Sequence, residues 1–534
     1  LWGGVVDLSA QVGEGSRVSL SNTYDRAADN EALHLSGTLE ELALPVEVTR
    51  LGFVERSLFA SQLRGSHVLG ERHKLDWSGT LSGVERNEPD RSDLAYAREI
   101  DPLTGREREA AWLGSRPRAA TRTFSTLSER ATALSADYTL HLGGGEAPGS
   151  LRAGALYRGV GRDADSRAYD LLDRGLTDEE RTLPAEEIFG GRFYGAADPA
   201  IVLRANQNGG AYSASERLGA AYAMADYPLS PRLRLVAGAR VEWDRIRVDA
   251  VSVTGERIPA ALENADLLPA LALNWEPSDR QKVRLSATRT LSRPEYRELS
   301  GITYFEQLGG QMVFGNPELE RALVHNYDLR WELYPTEGEL FGVSLFAKDF
   351  HRPLERVLVQ STGASAVSFV NAEGAFSYGV ELEARAGLTG VAGALSSFSL
   401  FANATLVRSE ISVGNRAVSG LTHDSRPMAG QAPYVVNAGL TWAHPAEAGT
   451  ATLLYNVVGR KISEVGTGGL PDVYELPRHG VDLSVQLPLR GRGSALKLDA
   501  KNLLDSPYEL RQGTVVRHRY TTGRTLSLGI SLKR

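Results

Sequence analysis

The chain has no cysteine and only 3 methionines in 534 residues, which removes disulfide frameworks, thiol chemistry and Cys-ligated zinc. It also lacks any run near the ~18 consecutive apolar residues of a spanning helix, and its mean hydropathy is -0.24. A helical membrane protein is excluded, whereas a transmembrane barrel is not. Leu1-Trp2-Gly3-Gly4 carries no initiator Met, basic n-region or apolar h-region, so the chain reads as a fragment or mature piece. No strong charge imbalance is present: 59 basic and 66 acidic side chains are interspersed, where a nucleic-acid surface needs a basic face. No nucleic-acid partner is expected. Catalytic signatures are missing as well, with no GxSxG, Walker or HExxH arrangement. His67, His73, His325, His351 and His479 are scattered without the paired spacing of a zinc site. No enzyme, metal or cofactor is expected. Gly143-Gly144-Gly145 reads as turn chemistry, and the sequon Asn403-Ala404-Thr405 falls inside a strand.

What is present is alternation. Leu233, Leu235, Ala237, Ala239, Val241 and Trp243 alternate with Arg234, Gly238, Arg240, Glu242 and Asp244. The same period of two recurs at Tyr327, Leu329, Trp331 and Leu333, at Tyr378, Val380, Leu382 and Ala384, at Tyr434 to Trp442, at Val481 to Leu487 and at Leu526 to Leu532. These are strands with one apolar and one polar face. Such strands fit a soluble sandwich or a membrane barrel with a polar lumen, so the connections decide. Tight turns are read at Gly13–Ser16, Gly70–His73, Gly143–Gly149, Tyr227–Arg232, Pro277–Arg280, Tyr334–Glu339, Gly390–Ser396, His444–Gly449 and Pro488–Ser494. Longer segments lie between them: Arg26–Val48, Arg86–Arg122, Arg162–Gly210, Val251–Glu263, Leu291–Leu323, His351–Ala375, Ser412–Gln431, Ser463–Glu475 and Arg511–Thr522. One rim is trim and the other carries loops, as in outer-membrane barrels with short periplasmic turns and long extracellular loops.

The expected fold class is therefore all-β, a large antiparallel transmembrane barrel with 19 strands visible. That number is odd, and single-chain outer-membrane barrels are normally even with both ends periplasmic, so three further strands upstream would complete 22. Trp77, Trp243, Trp275, Trp331, Trp442, Tyr138, Tyr222, Tyr334 and Tyr455 are read as interfacial girdles, with ordinary core aromatics as the alternative. Arg240, Glu242, Asp328, Arg330, Glu332, Glu381, Glu383 and Arg385 are candidates for the lumen, either in wall-to-wall charge ladders or in contact with a plug or substrate. In the loop Arg162–Gly210, Thr177-Asp178-Glu179-Glu180 reads as a capping box and Pro184-Ala185-Glu186-Glu187 as a second helix start. Its acidic cluster lacks the ligand spacing of an EF-hand, which favours a solvated face over Ca²⁺ binding. The Arg-rich stretch Arg106–Arg122 suits either an anionic ligand or lipopolysaccharide phosphates, or simple solvation.

An ordered series of motifs adds a resemblance. It comprises Arg293-Pro294-Glu295, then Phe314-Gly315-Asn316-Pro317-Glu318-Leu319, Tyr327-Asp328-Leu329-Arg330-Trp331-Glu332, Gly379-Val380-Glu381-Leu382-Glu383, Lys501-Asn502-Leu503-Leu504-Asp505 and Gly523-Arg524. Together they resemble the barrel of a TonB-dependent outer-membrane receptor. Glu88-Pro89-Asp90 resembles a subgroup with a regulatory-type N-terminal domain. The resemblance implies that residues 1–534 form one barrel domain, N-terminally incomplete and without the plug and TonB box, in the outer membrane of a Gram-negative-type bacterium. It implies import of a scarce nutrient (siderophore, cobalamin or glycan) through a ligand-biased plug equilibrium driven by TonB-ExbB-ExbD. Further implied partners are outer-membrane lipid and lipopolysaccharide, a small-molecule or oligosaccharide ligand, and a surface lipoprotein. Arg534 departs from the aromatic C-terminus common in such barrels. A plugless porin or channel and a secreted soluble glycan-binding β protein stand as alternatives.

Overall fold

The computed structural model describes all residues except 40–43, 101–103, 105, 117–118, 144–147, 195–197, 306–311, 362–363, 415–420, 424, 447–448, 467, 490–493 and 533–534. Gly144, Gly145, Lys533 and Arg534 thus lie outside the described residues. Nineteen described strands form one antiparallel meander. The first eight are β1 Trp2–Gln11, β2 Ser16–Leu39, β3 Leu44–Leu69, β4 His73–Ala97, β5 Ala120–Leu142, β6 Gly149–Asp173, β7 Ile201–Ser230 and β8 Leu233–Val251. Next come β9 Arg257–Ser278, β10 Gln281–Ser292, β11 Ala322–Leu333, β12 Leu340–His351, β13 Gly374–Gly387 and β14 Phe398–Ser412. The last are β15 Tyr434–Ala443, β16 Thr450–Val458, β17 Arg478–Pro488, β18 Ala495–Lys501 and β19 Thr525–Ser531. Each pairs with its neighbour in chain order. Six of the nine tight turns lie wholly on described residues and fall at the junctions of consecutive strands, whereas Gly143–Gly149, His444–Gly449 and Pro488–Ser494 include residues outside those described.

Burial assigns the two faces. On β9, Leu267, Leu271 and Trp275 are 53, 50 and 48% exposed, while Asp266 on the opposite face is 3% exposed. Apolar outside and polar inside is the reverse of a soluble sandwich and suits a barrel whose outer solvent is hydrocarbon. On β8 the outward belt runs from Leu233 to Trp243, and on β9 from Ala265 to Trp275, in register with each other. Eleven residues is the length a tilted strand needs to cross, and Trp243 and Trp275 mark opposite ends of it. Tyr222 departs from the girdle reading: it shares the inner face, where its hydroxyl donates to Asp137 at 2.7 Å.

Several strands outrun the membrane, and β7 has 30 residues. Above the belt the polarity of the faces inverts. Outward positions on β8 become Arg245, Arg247 and Asp249, and inward positions become Ile246, Val248 and Ala250, which are 0 to 2% exposed. The segments Arg26–Val48 and Val251–Glu263, expected as loops, are therefore mostly paired strand: β2 and β3 remain in register to Leu39 and Leu44, and β8 and β9 to Val251 and Arg257. Water on both sides removes the need for an apolar exterior but not the drive to complete backbone hydrogen bonds.

The connections Arg86–Arg122 and Arg162–Gly210 shorten in the same way, and their remaining segments fold over the outer side of this tall wall. There Trp112, Ile188, Phe193 and Ile201 form a satellite core. The two expected helix starts are present. Thr177 caps Asp178–Arg181 in a capping box, and Pro184 precedes Ala185–Ile188. Glu88 and Arg91 flank a bulge in β4, where Pro89 and Asp90 interrupt the register.

Candidate functional site

On the inner face, β10 to β13 carry a charge ladder. The Arg330 guanidinium donates to Glu332 at 2.8 Å, to the Ser344 hydroxyl at 3.0 Å and to Glu383 at 2.7 Å. Reaching Glu383 requires crossing β12, and Gly342 lies under that path: a Cβ there would meet Arg330 Nη2 at 3.1 Å. Arg330 stands directly opposite Arg284, a repulsive pairing that Glu332 relieves by also contacting Arg284 at 3.2 Å. Asp328 accepts from the Ser286 hydroxyl at 3.3 Å. Glu381 and Arg385 share this face, exposed and without an ion pair among the described residues. The ladder continues on β14 to β16 as amides, with Asn437 donating to Asn403 at 2.7 Å and Asn456 donating to Asn437 at 2.6 Å.

A second network fixes a loop inside the barrel mouth. Arg240 donates to Glu242 at 2.7 Å. Arg293, just past the end of β10, donates to Glu242 at 2.8 Å and to Asp244 at 3.0 Å. The Asp244 side chain is fully buried, and among the described residues its other side-chain hydrogen bond comes from Asn264 at 3.5 Å. Pro294 cannot extend the β10 ladder beyond this anchor. Glu295 then opens the short helix Tyr296–Leu299 through a capping box with Glu298, and burial pushes the Glu298 carboxyl up from its ordinary range. The Tyr296 hydroxyl donates to Glu216 on β7, while Arg162 lies 4.8 Å over its ring.

The chain next forms the hairpin Thr303–Phe305 with Met312–Phe314, whose second strand pairs in parallel with Ala364–Asn371 from the following loop. Leu299, Ile302, Val313, Val367 and Phe369 pack with Ile246, Val248 and Leu262 of the wall into an apolar cluster. The motif residues serve this junction. Gly315 passes so close to the helix that a Cβ would lie 2.6 Å from the Glu298 carbonyl oxygen and 2.8 Å from the Gly301 nitrogen. The Asn316 side chain donates to the Phe369 carbonyl at 2.9 Å and accepts from the Glu318 amide at 2.9 Å. Pro317 continues the turn between them.

Asn502 and Leu503 lie elsewhere, in a clasp on β17 to β19. Asn502 adopts φ 55° and Asp505 φ 48°, the left-handed region where Asn and Asp are enriched. The Asn502 amide donates to the Gly523 carbonyl at 2.6 Å and to Thr522 at 3.1 Å, and its backbone N–H donates to Asp482 at 2.8 Å. Arg524 donates to the Leu503 carbonyl at 2.8 Å, and Asp505 accepts from the Gly523 amide at 3.0 Å.

Two features escape sequence reasoning. One is the apolar cluster: Ile246, Val248 and Ala250 share their strand face with Glu242 and Asp244, so alternation alone gives no sign that the inner face changes character. The other is the buried pair Arg426–Glu355 at 3.0 Å, with side chains 2 and 4% exposed, joining two loops 71 residues apart. Two exposed arginines on the same rim are backed by tyrosine rings: Arg297 lies 3.4 Å from the ring of Tyr304, which is buried in the apolar cluster, and Arg460 lies 4.2 Å from that of the half-buried Tyr474.

A family model described as TonB dependent receptor-like, beta-barrel, matches residues 65–503. No curated protein matches the sequence. Solved structures share the fold at low identity. The siderophore receptor PiuA from Acinetobacter baumannii aligns with a TM-score of 0.59 at 10% identity, over 98% of this chain and 78% of that one. The FrpB iron transporter from Neisseria meningitidis aligns with 0.58 at 13%, over 98% and 71%. The copper transporter OprC aligns with 0.55 at 14%, over 98% and 77%.

Proposed function

This chain belongs to the TonB dependent receptor-like β-barrel family, and from that premise we infer that it imports a metal chelate of the siderophore type. Receptors of this class reside in the outer membrane, work with TonB and bind small-molecule nutrients. The reading toward a siderophore rests chiefly on the extracellular rim, where Arg297 and Arg460 lie over Tyr304 and Tyr474. Each exposed guanidinium is braced from behind by a tyrosine ring and presents charge together with its own planar face for stacking, which fits an anionic, aromatic chelate better than an uncharged glycan or cobalamin. Neighbours of the same fold are described as siderophore receptors and an iron transporter, in keeping with this choice.

The inner-face residues then divide by role. Arg240, Glu242, Arg330, Glu332 and Glu383 satisfy one another and hold the wall and loop. Asp328, Glu381 and Arg385 keep capacity for a plug or a passing ligand. Capture at the rim biases a plug equilibrium that TonB then drives.

The test is growth and labelled-iron uptake by a receptor-deficient Gram-negative host carrying the full gene, supplied in turn with ferric catecholates, ferric hydroxamates, cobalamin and oligosaccharides. Uptake of a ferric chelate that collapses without TonB is expected. Uptake of cobalamin or a glycan alone would refute the substrate assignment, and a steady TonB-independent pore in planar bilayers would favour a porin.

A further inference from the structure

The lower lumen holds side chains whose bonding capacity the wall does not use up. β13 ends at Gly387, where a tight turn marks the periplasmic rim, and Arg385 lies two residues above that end on the inner face. Its cross-strand neighbours are Leu340 on β12 and Phe401 on β14, which carry no charge. The inward carboxylate two residues higher on the same strand, Glu383, is taken by Arg330 at 2.7 Å. Arg385 is exposed and forms no ion pair among the described residues, so its guanidinium is available to whatever passes.

A glycine fixes the pose of the adjacent ring. A Cβ at Gly439, the partner of Phe401 on β15, would overlap the phenyl group. The ring therefore lies flat across the wall and turns its other face to the lumen. One step higher, register sets Asn403, Asn437 and Asn456 side by side on β14 to β16. Asn456 donates to Asn437, and Asn437 donates to Asn403, so the amides point the same way. Each amide carries two N–H donors and one oxygen. The run engages two N–H groups and the oxygens of Asn437 and Asn403, which leaves four N–H groups against one unengaged oxygen among the described residues. Three neutral side chains aligned in this way form a surface that gives hydrogen bonds and hardly accepts them. From β13 to β16 the group spans three inter-strand gaps, about 14 Å.

We propose that Arg385, Phe401 and the amides of Asn403, Asn437 and Asn456 form a second station, near the periplasmic exit, that receives the anionic, aromatic metal chelate on its way out of the barrel. The inference rests on the substrate class argued above and carries it from the rim to the lumen wall. The guanidinium takes the charge, the exposed ring face takes an aromatic arm, and the spare N–H groups take the oxygens around the metal. Contacts that stay open to water are individually weak, which suits an exit: the ligand is held briefly and then released.

The test uses the full gene in a receptor-deficient host, with a trianionic ferric tris-catecholate carrying labelled iron as probe. Binding to the cell surface is measured without TonB, and the rate of uptake with it. Arg385→Gln and Phe401→Leu should bind the probe at the surface as the parent does, because the rim is unaltered. Their maximal uptake per bound receptor should fall about 5-fold and about 3-fold respectively, with KM unchanged. Arg385→Lys and Phe401→Tyr, which keep the charge and the ring, should recover at least half of the parent rate. Should the Phe401 variant fail to fold, Arg385→Gln carries the test alone, since that side chain is exposed and unpaired. Equal uptake by the parent and both variants would overturn the station. So would a fall that Arg385→Lys does not relieve, or one accompanied by entry of a large antibiotic such as vancomycin, which would set Arg385 against the plug instead. A parent that imports only a non-aromatic chelate would overturn the station and leave iron import standing, whereas a parent that imports no chelate would overturn both.

Discussion

Replacing Arg293 by Met tests whether one guanidinium holds the inner loop in place. In the parent, Arg293 contacts Glu242 and Asp244 at 2.8 and 3.0 Å, and the Asp244 side chain is fully buried. Glu242 keeps Arg240 in the variant, but among the described residues Asp244 keeps only Asn264 at 3.5 Å. Removing one partner of a buried pair costs about 3–5 kcal/mol. Because Glu242 remains compensated, the lower end, about 3 kcal/mol, is expected. The loop relieves that cost by withdrawing and letting water reach Asp244, so the loss should appear as local opening. A ~3 kcal/mol change corresponds to a rise of about 150-fold in amide exchange across Tyr296–Leu299, with exchange in β9 and β10 unchanged. Adding Asp244→Asn should recover at least half of the protection, since an amide no longer strands a charge. Unaltered exchange in R293M, or an additive double variant, would refute the reasoning.

Four further outcomes follow from the same structure. Leu271→Arg places a charge at the middle of the β9 belt and should cost about 2–4 kcal/mol of folding into phospholipid vesicles, read from denaturant midpoints, while Ala272→Ser on the inner face should cost far less. Gly315→Ala forces a Cβ against the Arg297 and Glu298 carbonyls of the helix and the Gly301 amide just beyond it and should cost about 1–3 kcal/mol, whereas Gly219→Ala, with open space around it, should leave thermal stability unchanged. Asn502→Ala loses both the left-handed preference and the side-chain clasp, about 2 kcal/mol, and Asn502→Gly should restore the backbone share, measured by refolding yield in detergent. Burial raises the Glu355 carboxyl above its ordinary value of 4.5 despite the opposing Arg426. The folded state then holds its proton to higher pH than the unfolded one, so this site's contribution is complete in acid and falls as pH rises past about 4.5. Protection of the two loops it joins should fall over that range, and Glu355→Gln should remove the dependence.

The barrel was readable because hydrocarbon outside and water inside impose a strict period of two on every membrane-crossing segment, and the tight turns carry their own residues. Leu233–Trp243 shows both. The upper wall was harder to read. Past Trp243 the outward side chains become Arg245 and Arg247, which resembles the onset of a loop although the strand continues to Val251. The aromatic assignment failed at Tyr222 because Tyr is equally at home donating to Asp137 on a wet inner face. Among the candidate residues, Arg330, Glu332 and Glu383 could be placed on one face from spacing, but Gly342, which lets Arg330 cross β12, has meaning only once the register is known. The roles of Gly315 and Asn316 depend on a loop returning from fifty residues downstream, a contact that no local pattern encodes.

The reversal of polarity along β8 works as a draught mark on a hull. Were the protein to settle lower by two residues along its strands, about 7 Å, Arg217 and Arg245 would enter oil. Were it to ride higher by the same step, Trp243 would leave the upper interface for water, and the charged turn residues beside Leu233, such as Arg232 and Asp279, would be drawn toward oil on the far side. Both displacements are uphill, so the cylinder carries its own depth setting in the wall, whatever cargo passes through it.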